Sequence, residues 1–213
     1  MRHPLILSPA ESTLQRVPLE AADVRYCADA FPRAQADALL EALYREIHWE
    51  QHRLRLFGRE VAAPRLSCWI GAPGTAYTYS RVRFEPRAWT PTLASLRDTL
   101  AARFDLHFNS VLANLYRNGR DSMSWHSDDE PELGAEPVIA SLSFGAQRRF
   151  RFRSRETRKI ALAIDLAHGS LLVMRGATQR LYQHDLPKSA ADSAVRVNLT
   201  FRMSGLGVEG SRF

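Results

Sequence analysis

The amino-acid sequence predicts a mainly β fold with flanking helices (α+β), whose core is a sandwich or barrel of short strands. Stretches that alternate between apolar and polar residues recur at regular spacing from residue 108 onward. Upstream, two segments carry apolar residues at helical spacing. The chain has 213 residues, 45% hydrophobic and 24% charged, which suits one globular domain and excludes a disordered chain, a fibre or a coiled-coil rod.

An arm, a helix and a hairpin are predicted first. Residues 1–30 show no regular pattern, and we interpret them as an irregular N-terminal arm. Pro32 suits the first turn of a helix because its φ angle is fixed, and the apolar residues that follow place the end of this helix near Trp49. Residues 52–65, HRLRLFGREVAAPR, alternate and contain a glycine, which predicts a short hairpin with an exposed tip.

A second helix follows another alternating stretch. Residues 77–84, YTYSRVRF, alternate as a strand does. Thr90 and Pro91 are typical of an N-cap followed by proline at the first helical position, and leucines at helical spacing then predict an amphipathic helix ending near Phe104. We expect both helices to pack against the outside of one sheet.

The second half of the chain is predicted to consist of strands. Residues 111–117 alternate and run into Asn118-Gly119, a strong turn signal. Residues 138–144 and 148–153 are separated by a short turn containing Gly145, which predicts a second hairpin. Further strands are predicted at 159–164, 170–175 and 195–202.

The charge balance allows two interpretations. Lys and Arg number 29 against 23 Asp and Glu, giving a net charge of +6 and a pI near 9.8. Such a balance favours a polyanionic partner such as nucleic acid. However, Lys159 and Lys188 are the only lysines, so the arginine excess is equally typical of a GC-rich genome.

Other composition features indicate a cytoplasmic protein, in a bacterial cytosol. The sequence has no stretch of 18 apolar residues and no signal-peptide pattern at its start, so we expect no membrane association. Two cysteines, Cys27 and Cys68, do not make a disulfide framework or a zinc cluster. We expect both to be buried in a protein of a reducing compartment.

A candidate metal site begins with the His-x-Asp pattern of His126 and Asp128. Residues two apart in an extended segment project to the same side. Two histidines and one carboxylate on one face of an octahedral ion leave three positions open, as in non-heme Fe(II) oxygenases. His184 is the best candidate for the second histidine. Alone, the pattern is more typical of a surface turn with a solvated acidic run at 128–130.

A candidate anion site lies on the last predicted strand. Arg196, Asn198 and Arg202 share one face of this strand, while Val197 and Phe201 lie on the other with the remaining apolar residues. Two arginines facing a barrel interior are costly unless an anion meets them, and a dicarboxylate would do so through bidentate contacts. The alternative is an exposed edge strand with arginines extended into solvent.

Together these segments resemble the AlkB family of Fe(II)/2-oxoglutarate-dependent dioxygenases, most closely its animal homologue 2 and 3 branch and bacterial relatives. The resemblance spans about residues 108–202, with weaker similarity around Arg65 and Tyr77–Ser80. The matching pieces are Asn114-Leu-Tyr116, Asn118-Gly119, Trp125-His-Ser-Asp-Asp-Glu130, Ile139–Gly145, Arg149–Arg153, His168–Met174, His184-Asp-Leu-Pro187 and Arg196–Arg202.

The resemblance implies a fold, a domain plan and an activity. A single catalytic domain, 1–213, would combine a nucleotide-recognition hairpin and helices over 31–107 with a double-stranded β-helix (jelly-roll) core over 108–204. It would act as a monomer on alkylated nucleic acid, DNA being favoured over RNA. Using Fe(II), 2-oxoglutarate and O₂, it would demethylate bases such as 1-methyladenine or 3-methylcytosine and release formaldehyde.

The resemblance also implies the roles of individual residues. His126, Asp128 and His184 would ligate Fe(II). Arg196 and Tyr116 would hold the distal carboxylate of 2-oxoglutarate, and Arg202, Asn114 and Asn198 would anchor the rest of it. The remaining expected contacts would be to substrate: Phe57 as a wedge in the base stack, Arg65 and Tyr79 in the nucleotide-recognition region, and Trp125 and Glu130 close to the flipped base.

Two rival functions remain open from the sequence. One is an AlkB-like demethylase of RNA or of a protein side chain, which methylated oligonucleotides and peptides tested side by side would distinguish. The other is a non-catalytic jelly-roll binding module, which an iron titration would distinguish. The packing alternative for Phe57 is a hairpin residue folded back onto the core.

Overall fold

The computed structural model describes residues 13–56, 59–75, 77–79, 82–189 and 194–205. The elements in chain order are β1 (Gln15–Val17), β2 (Asp23–Cys27), α1 (Arg33–Glu46), β3 (Arg53–Leu56), β4 (Arg59–Ala62), β5 (Leu66–Gly71), β6 (Tyr77–Tyr79), β7 (Val82–Phe84), α2 (Pro91–Phe104), β8 (Ser110–Tyr116), β9 (Met123–His126), β10 (Ile139–Gly145), β11 (Arg148–Ser154), β12 (Ile160–Leu166), β13 (Ser170–Arg175), α3 (Thr178–Leu181), β14 (Tyr182–Leu186) and β15 (Arg196–Arg202).

Two antiparallel sheets form the core. The major sheet has the order β1-β2-β13-β10-β15-β8-β5, and the minor sheet has the order β12-β11-β14-β9. Side chains from both sheets, among them Met174 and Phe152, form one apolar cluster, so the sheets lie face to face. From β8 to β11 and again from β13 to β15, successive strands alternate between the sheets, as in a jelly roll. The mainly β prediction is therefore confirmed.

The predicted hairpin of residues 138–144 and 148–153 is wrong. β10 pairs with β13 and β15, whereas β11 pairs with β12 and β14. The chain leaves β10 at Gly145, and the Ala146 N–H donates to the Val195 carbonyl at 2.9 Å, across the end of β15. The short turn therefore carries the chain from one sheet to the other. A turn signal gives the position of a reversal but not the strand that pairs after it.

The N-terminal segment is more regular than predicted. Within residues 1–30, the first 12 lie outside the described residues, but β1 and β2 are strands and β2 pairs with β13 in the major sheet. The burial of Val24 and Cys27 on this strand shows why the segment is ordered. A strand with few apolar residues of its own can still be ordered when a neighbouring strand pairs with its backbone N–H and C=O groups.

Both predicted helices are confirmed and pack on the outer face of the major sheet. α1 follows Pro32 and ends at Glu46, because Ile47 takes an extended conformation. The Thr90 hydroxyl accepts a hydrogen bond from the Leu93 N–H at 3.3 Å and so caps α2. Leu43 and Leu96 lie in one core cluster with the outward-facing apolar side chains of the sheet. None of the helices in the described ranges is long and apolar enough to cross a membrane.

Two small hairpins lie beside this core. β3 and β4 pair as predicted for residues 52–65, with Arg53 opposite Ala62. The tip residues Phe57 and Gly58 lie outside the described residues. The stretch 77–84 forms two short paired strands, β6 and β7, instead of one strand.

Candidate metal and 2-oxoglutarate site

The predicted metal ligands meet between the two sheets. His126 ends β9 and faces His184 across the β9–β14 ladder, where their ring centroids are 4.2 Å apart. Asp128 follows β9 by two residues. One ligand atom from each of His126, Asp128 and His184 lies within 4.8 Å of the others. This convergence replaces the alternative of a solvated surface turn, because Asp128 and His184 are buried.

An irregular step in β9 aims its side chains. Met123 lies opposite Leu186 and His126 opposite His184, so three steps along β9 match two along β14. The extra residue of such a bulge changes the side on which later side chains project. Met123 and His126 consequently both line a cavity between the two sheets, which also contains Asp128, His184 and Arg196 and is called the cavity below.

The protonation states favour a metal. Burial lowers the pKa of His126, and it lowers the pKa of His184 to about 3. Burial alone would raise the pKa of Asp128, but Arg202 and the two histidines hold it below its usual value. His126 Nδ1 lies 2.8 Å from the Ser124 carbonyl, which favours the tautomer with a proton on Nδ1 and leaves Nε2 to bind a metal. Neutral imidazoles and an ionised carboxylate are the ligating forms.

Arg202 orients the carboxylate of Asp128. Its Nη2 donates to Oδ1 of Asp128 at 2.5 Å, and the other carboxylate oxygen lies 3.7 Å from Nε2 of His184. One oxygen is therefore turned toward the histidines while the other is held by the guanidinium. The sequence predicted Arg202 near the metal, and this contact with Asp128 is an additional finding.

Arg196 lies deep in the same cavity with incomplete hydrogen bonding. Its Nη2 donates to the Ser143 hydroxyl at 2.9 Å, and its guanidinium lies over the Tyr116 ring at 5.2 Å. Its Nε and Nη1 are buried and have no hydrogen-bond partner among the described residues. Burial lowers its pKa to about 10, so the side chain still carries its charge at neutral pH. A buried, charged guanidinium with donors still unpartnered fits a carboxylate.

The strand pattern predicted for β15 is confirmed. Arg196, Asn198 and Arg202 line the cavity, and Val197 and Phe201 pack on the helix side of the sheet. The alternative of an exposed edge strand is excluded, because β15 lies between β10 and β8.

The two asparagines line the cavity and are already hydrogen-bonded. Asn198 Nδ2 donates to the Ser141 hydroxyl at 2.8 Å, and Asn114 Oδ1 accepts from Nε of Arg65 at 2.9 Å. Arg65 is buried beside Asn114 and so lies next to the cavity. Ser141 and Ser143 were not identified from the sequence. Their signal was available, since two serines alternate with Leu142 and Phe144 along a strand of otherwise apolar residues.

Trp125 does not line the cavity. Its ring is flanked by the guanidiniums of Arg151 and Arg153, at 5.0 and 4.4 Å. These arginines alternate with the inward-facing Phe150 and Phe152, so Trp125 lies on the outer side of the minor sheet. This departs from the position that the resemblance implies, because Trp125 directly precedes the inward-facing His126 on β9 and successive side chains of a strand point to opposite faces.

Three other predicted substrate contacts have different outcomes. Glu130 is half-buried and precedes a short 3-10 turn, Pro131–Leu133, outside the cavity walls. Phe57 lies outside the described residues, as does the side chain of Tyr79, whose backbone belongs to β6.

Comparisons with known proteins match this chain to a family. The family model described as the 2OG-Fe(II) oxygenase superfamily matches residues 23–202. The human protein named DNA oxidative demethylase ALKBH2 is 38% identical over 182 residues, covering 81% of this chain and 70% of that protein. The chain belongs to the AlkB family of 2OG-Fe(II) oxygenases.

Other members extend the comparison. The Bos taurus and Homo sapiens proteins named alpha-ketoglutarate-dependent dioxygenase alkB homolog 3 are each 44% identical over 177 residues, covering 79% of this chain. The chain spans 61% of the length of each of these two relatives. The solved structure of OsALKBH1 superposes with a TM-score of 0.62 over 90% of this chain and all of that one, and its 16% identity supports the jelly-roll fold alone.

The residues of this AlkB-family chain fit the cofactors of the family. The His-Asp-His group provides the donor set of an Fe(II) site with open positions. The unpartnered Nε and Nη1 of Arg196 provide a place for a carboxylate of 2-oxoglutarate. Both features line one cavity, so a single bound 2-oxoglutarate has a metal and a guanidinium available to it.

Proposed function

We propose that this chain is an Fe(II)- and 2-oxoglutarate-dependent dioxygenase that demethylates ring nitrogens of DNA bases, such as 1-methyladenine and 3-methylcytosine. The observation that carries the proposal is the cavity that His126, Asp128 and His184 share with the incompletely bonded Arg196. The similarity to the human DNA oxidative demethylase ALKBH2 supports DNA as the substrate class. The net charge of +6 is consistent with it.

The residues divide the work of holding the reactants. We assign Nε2 of His126, one carboxylate oxygen of Asp128 and Nε2 of His184 to Fe(II). We assign the guanidinium of Arg196, beside Tyr116, to the distal carboxylate of 2-oxoglutarate. With O₂, the bound iron and 2-oxoglutarate supply the oxidation that converts an N-methyl group to N-hydroxymethyl, which leaves as formaldehyde, while 2-oxoglutarate becomes succinate and CO₂.

The surrounding side chains keep this chemistry directed. Arg202 holds one oxygen of Asp128 and so leaves the other for the metal. Met123 and Met174 line the cavity with apolar atoms, which limits the access of water to the reacting centre. Asn114 and Asn198 present polar groups from the neighbouring strands β8 and β15.

We further propose that residues 31–107 recognise the nucleic acid and that residues 108–204 carry the chemistry. A base must leave the helical stack to reach the metal, and a methyl group that blocks pairing lowers the cost. Phe57 is assigned to the gap left in the stack. Arg65, Tyr79 and Glu130 are assigned to contacts near the extruded base and its neighbours.

A panel of matched substrates tests the proposal. The protein is supplied with Fe(II), 2-oxoglutarate and ascorbate, and tested on one methylated sequence as single-stranded DNA, duplex DNA and RNA, together with a methylated peptide. We expect formaldehyde and succinate in equal amounts from DNA. Turnover restricted to RNA or to the peptide would contradict the proposed substrate. Absence of Fe(II) binding would contradict the proposal that the chain is an enzyme and would favour a non-catalytic binding module.

A further inference from the structure

One metal ligand lies outside the regular strands. β9 ends at His126, so Asp128 receives no ladder hydrogen bonds from β14. His184, by contrast, lies inside β14 and is held by pairing on both sides. The backbone of Asp128 therefore depends on other contacts for its position.

Gln179 supplies such a contact. Its side-chain Oε1 accepts a hydrogen bond from the Asp128 N–H at 2.9 Å, and its Nε2 lies 3.5 Å from Sδ of Met174. The residue is 2% exposed, so no water competes for this bond. Gln179 lies in α3, directly before the strand that carries His184.

Neighbouring contacts tie the same loop to the same segment. The Ser127 hydroxyl donates to the Tyr182 carbonyl at 3.0 Å. Nη1 of Arg155 donates both to the carboxylate of Asp129, at 2.7 Å, and to the main-chain carbonyl of Gln179, at 3.1 Å. Residues 127–129 are thus held by α3, by the start of β14 and by Arg155, which itself contacts α3.

We propose that Gln179 is a positioning residue for the metal: its hydrogen bond to the Asp128 N–H sets the distance between the Asp128 carboxylate and the two histidines. The inference rests on the proposed metal site. Gln179 is not itself a ligand, because its oxygen is committed to the backbone of Asp128. Arg202 fixes the carboxylate end of the same residue, so both ends of Asp128 are held. Groups that orient metal ligands typically change metal affinity by about 10- to 100-fold when they are removed.

A matched pair of variants separates positioning from general stability. Gln179→Leu removes the hydrogen-bond acceptor and puts an apolar side chain in its place. Thr178→Val, on the same helix, removes the buried hydrogen bond from the Thr178 hydroxyl to the Arg175 carbonyl and touches no metal ligand. Should Gln179→Leu fail to fold, Gln179→Met takes its place.

The readout is Co(II) binding to the metal-free full chain, followed by visible absorption, with thermal unfolding of each variant measured in parallel. We expect Gln179→Leu to bind Co(II) about 10- to 100-fold more weakly, with an altered spectrum. Thr178→Val is expected to bind Co(II) within about threefold of the unchanged protein. Equal losses in Gln179→Leu and Thr178→Val, or a full affinity in Gln179→Leu, would overturn the inference. If the unchanged protein itself bound no Co(II), or His126→Ala bound it equally well, the metal site and the proposed function would fail instead.

Discussion

Gly145 joins the fold to the cosubstrate site, and replacing it should damage both. It lies at the end of β10, opposite Arg196 in the ladder, with a φ angle of 91°. A Cβ atom here would overlap the Val195 carbonyl oxygen and lie 3.2 Å from the Cα of Arg196. Since Val195 precedes Arg196 directly, relief of this overlap must move the residue that we assign to 2-oxoglutarate.

The expected magnitude has two parts. An alanine in a left-handed backbone conformation costs roughly 1–2 kcal/mol. Displacement of a packed backbone group adds about 1–3 kcal/mol, by analogy with over-packed cores. Gly74 is a matched control, because its φ angle is 88° and a Cβ there meets nothing within 4 Å. We therefore expect Gly145→Ala to lose about 1–3 kcal/mol more unfolding free energy than Gly74→Ala.

Urea unfolding measures this difference, provided that both variants keep the same dependence on denaturant. The second assay is the KM for 2-oxoglutarate, which should rise by about tenfold or more in Gly145→Ala, equivalent to at least 1.4 kcal/mol, and stay unchanged in Gly74→Ala. Equal stability of the two variants would show that the Val195 carbonyl yields freely. If Gly145→Ala were destabilised but its KM for 2-oxoglutarate were unchanged, the turn at Gly145 would have no effect on the cosubstrate site.

Three further outcomes are expected. His126→Ala should abolish succinate production without loss of the folded state by circular dichroism, since two remaining ligands hold Fe(II) poorly; retained turnover would refute the metal assignment. Arg196→Met should raise the KM for 2-oxoglutarate more than Arg202→Lys does, by at least about tenfold, because a desolvated bidentate contact is worth about 2–5 kcal/mol; an equal KM would place the dicarboxylate elsewhere. Phe57→Ala should reduce demethylation of duplex DNA by about tenfold, or 1.4 kcal/mol, and leave single-stranded DNA little changed; equal losses on both would indicate a packing role.

Much of the site could be predicted because strand periodicity is a local property. The alternation along residues 196–202 assigns Arg196 and Arg202 to one face before any partner strand is known, and the cavity lining agrees. The His-x-Asp pattern also brings His126 and Asp128 together, although Asp128 lies beyond the end of β9. These predictions depend only on residues close together in the chain.

Pairing between distant segments could not be predicted in the same way. The turn at Gly145 reads as a hairpin, yet the next strand enters the other sheet. β1 and β2 lack a strong pattern of their own and owe their order to pairing with β13. The first two failures concern which strand lies next to which. The expected position of Trp125 came from the family resemblance, although alternation along β9 puts Trp125 on the face opposite to His126.

The buried charges show why this site is poised for an anion. Asp128 balances Arg202, but among the described residues no carboxylate pairs with Arg196. The Tyr116 ring and the Ser143 hydroxyl offset only part of the desolvation, and burial consequently lowers the Arg196 pKa. A lone buried charge destabilises the free protein, and a bound dicarboxylate removes that penalty. The unliganded protein is therefore less stable than it would be without this buried charge. Binding of 2-oxoglutarate removes the penalty, so the free energy of unfolding rises with ligand concentration. The same argument predicts opposite effects of Arg196→Met on binding and on stability. The variant loses affinity for 2-oxoglutarate, while the unliganded chain becomes about 1–4 kcal/mol more stable.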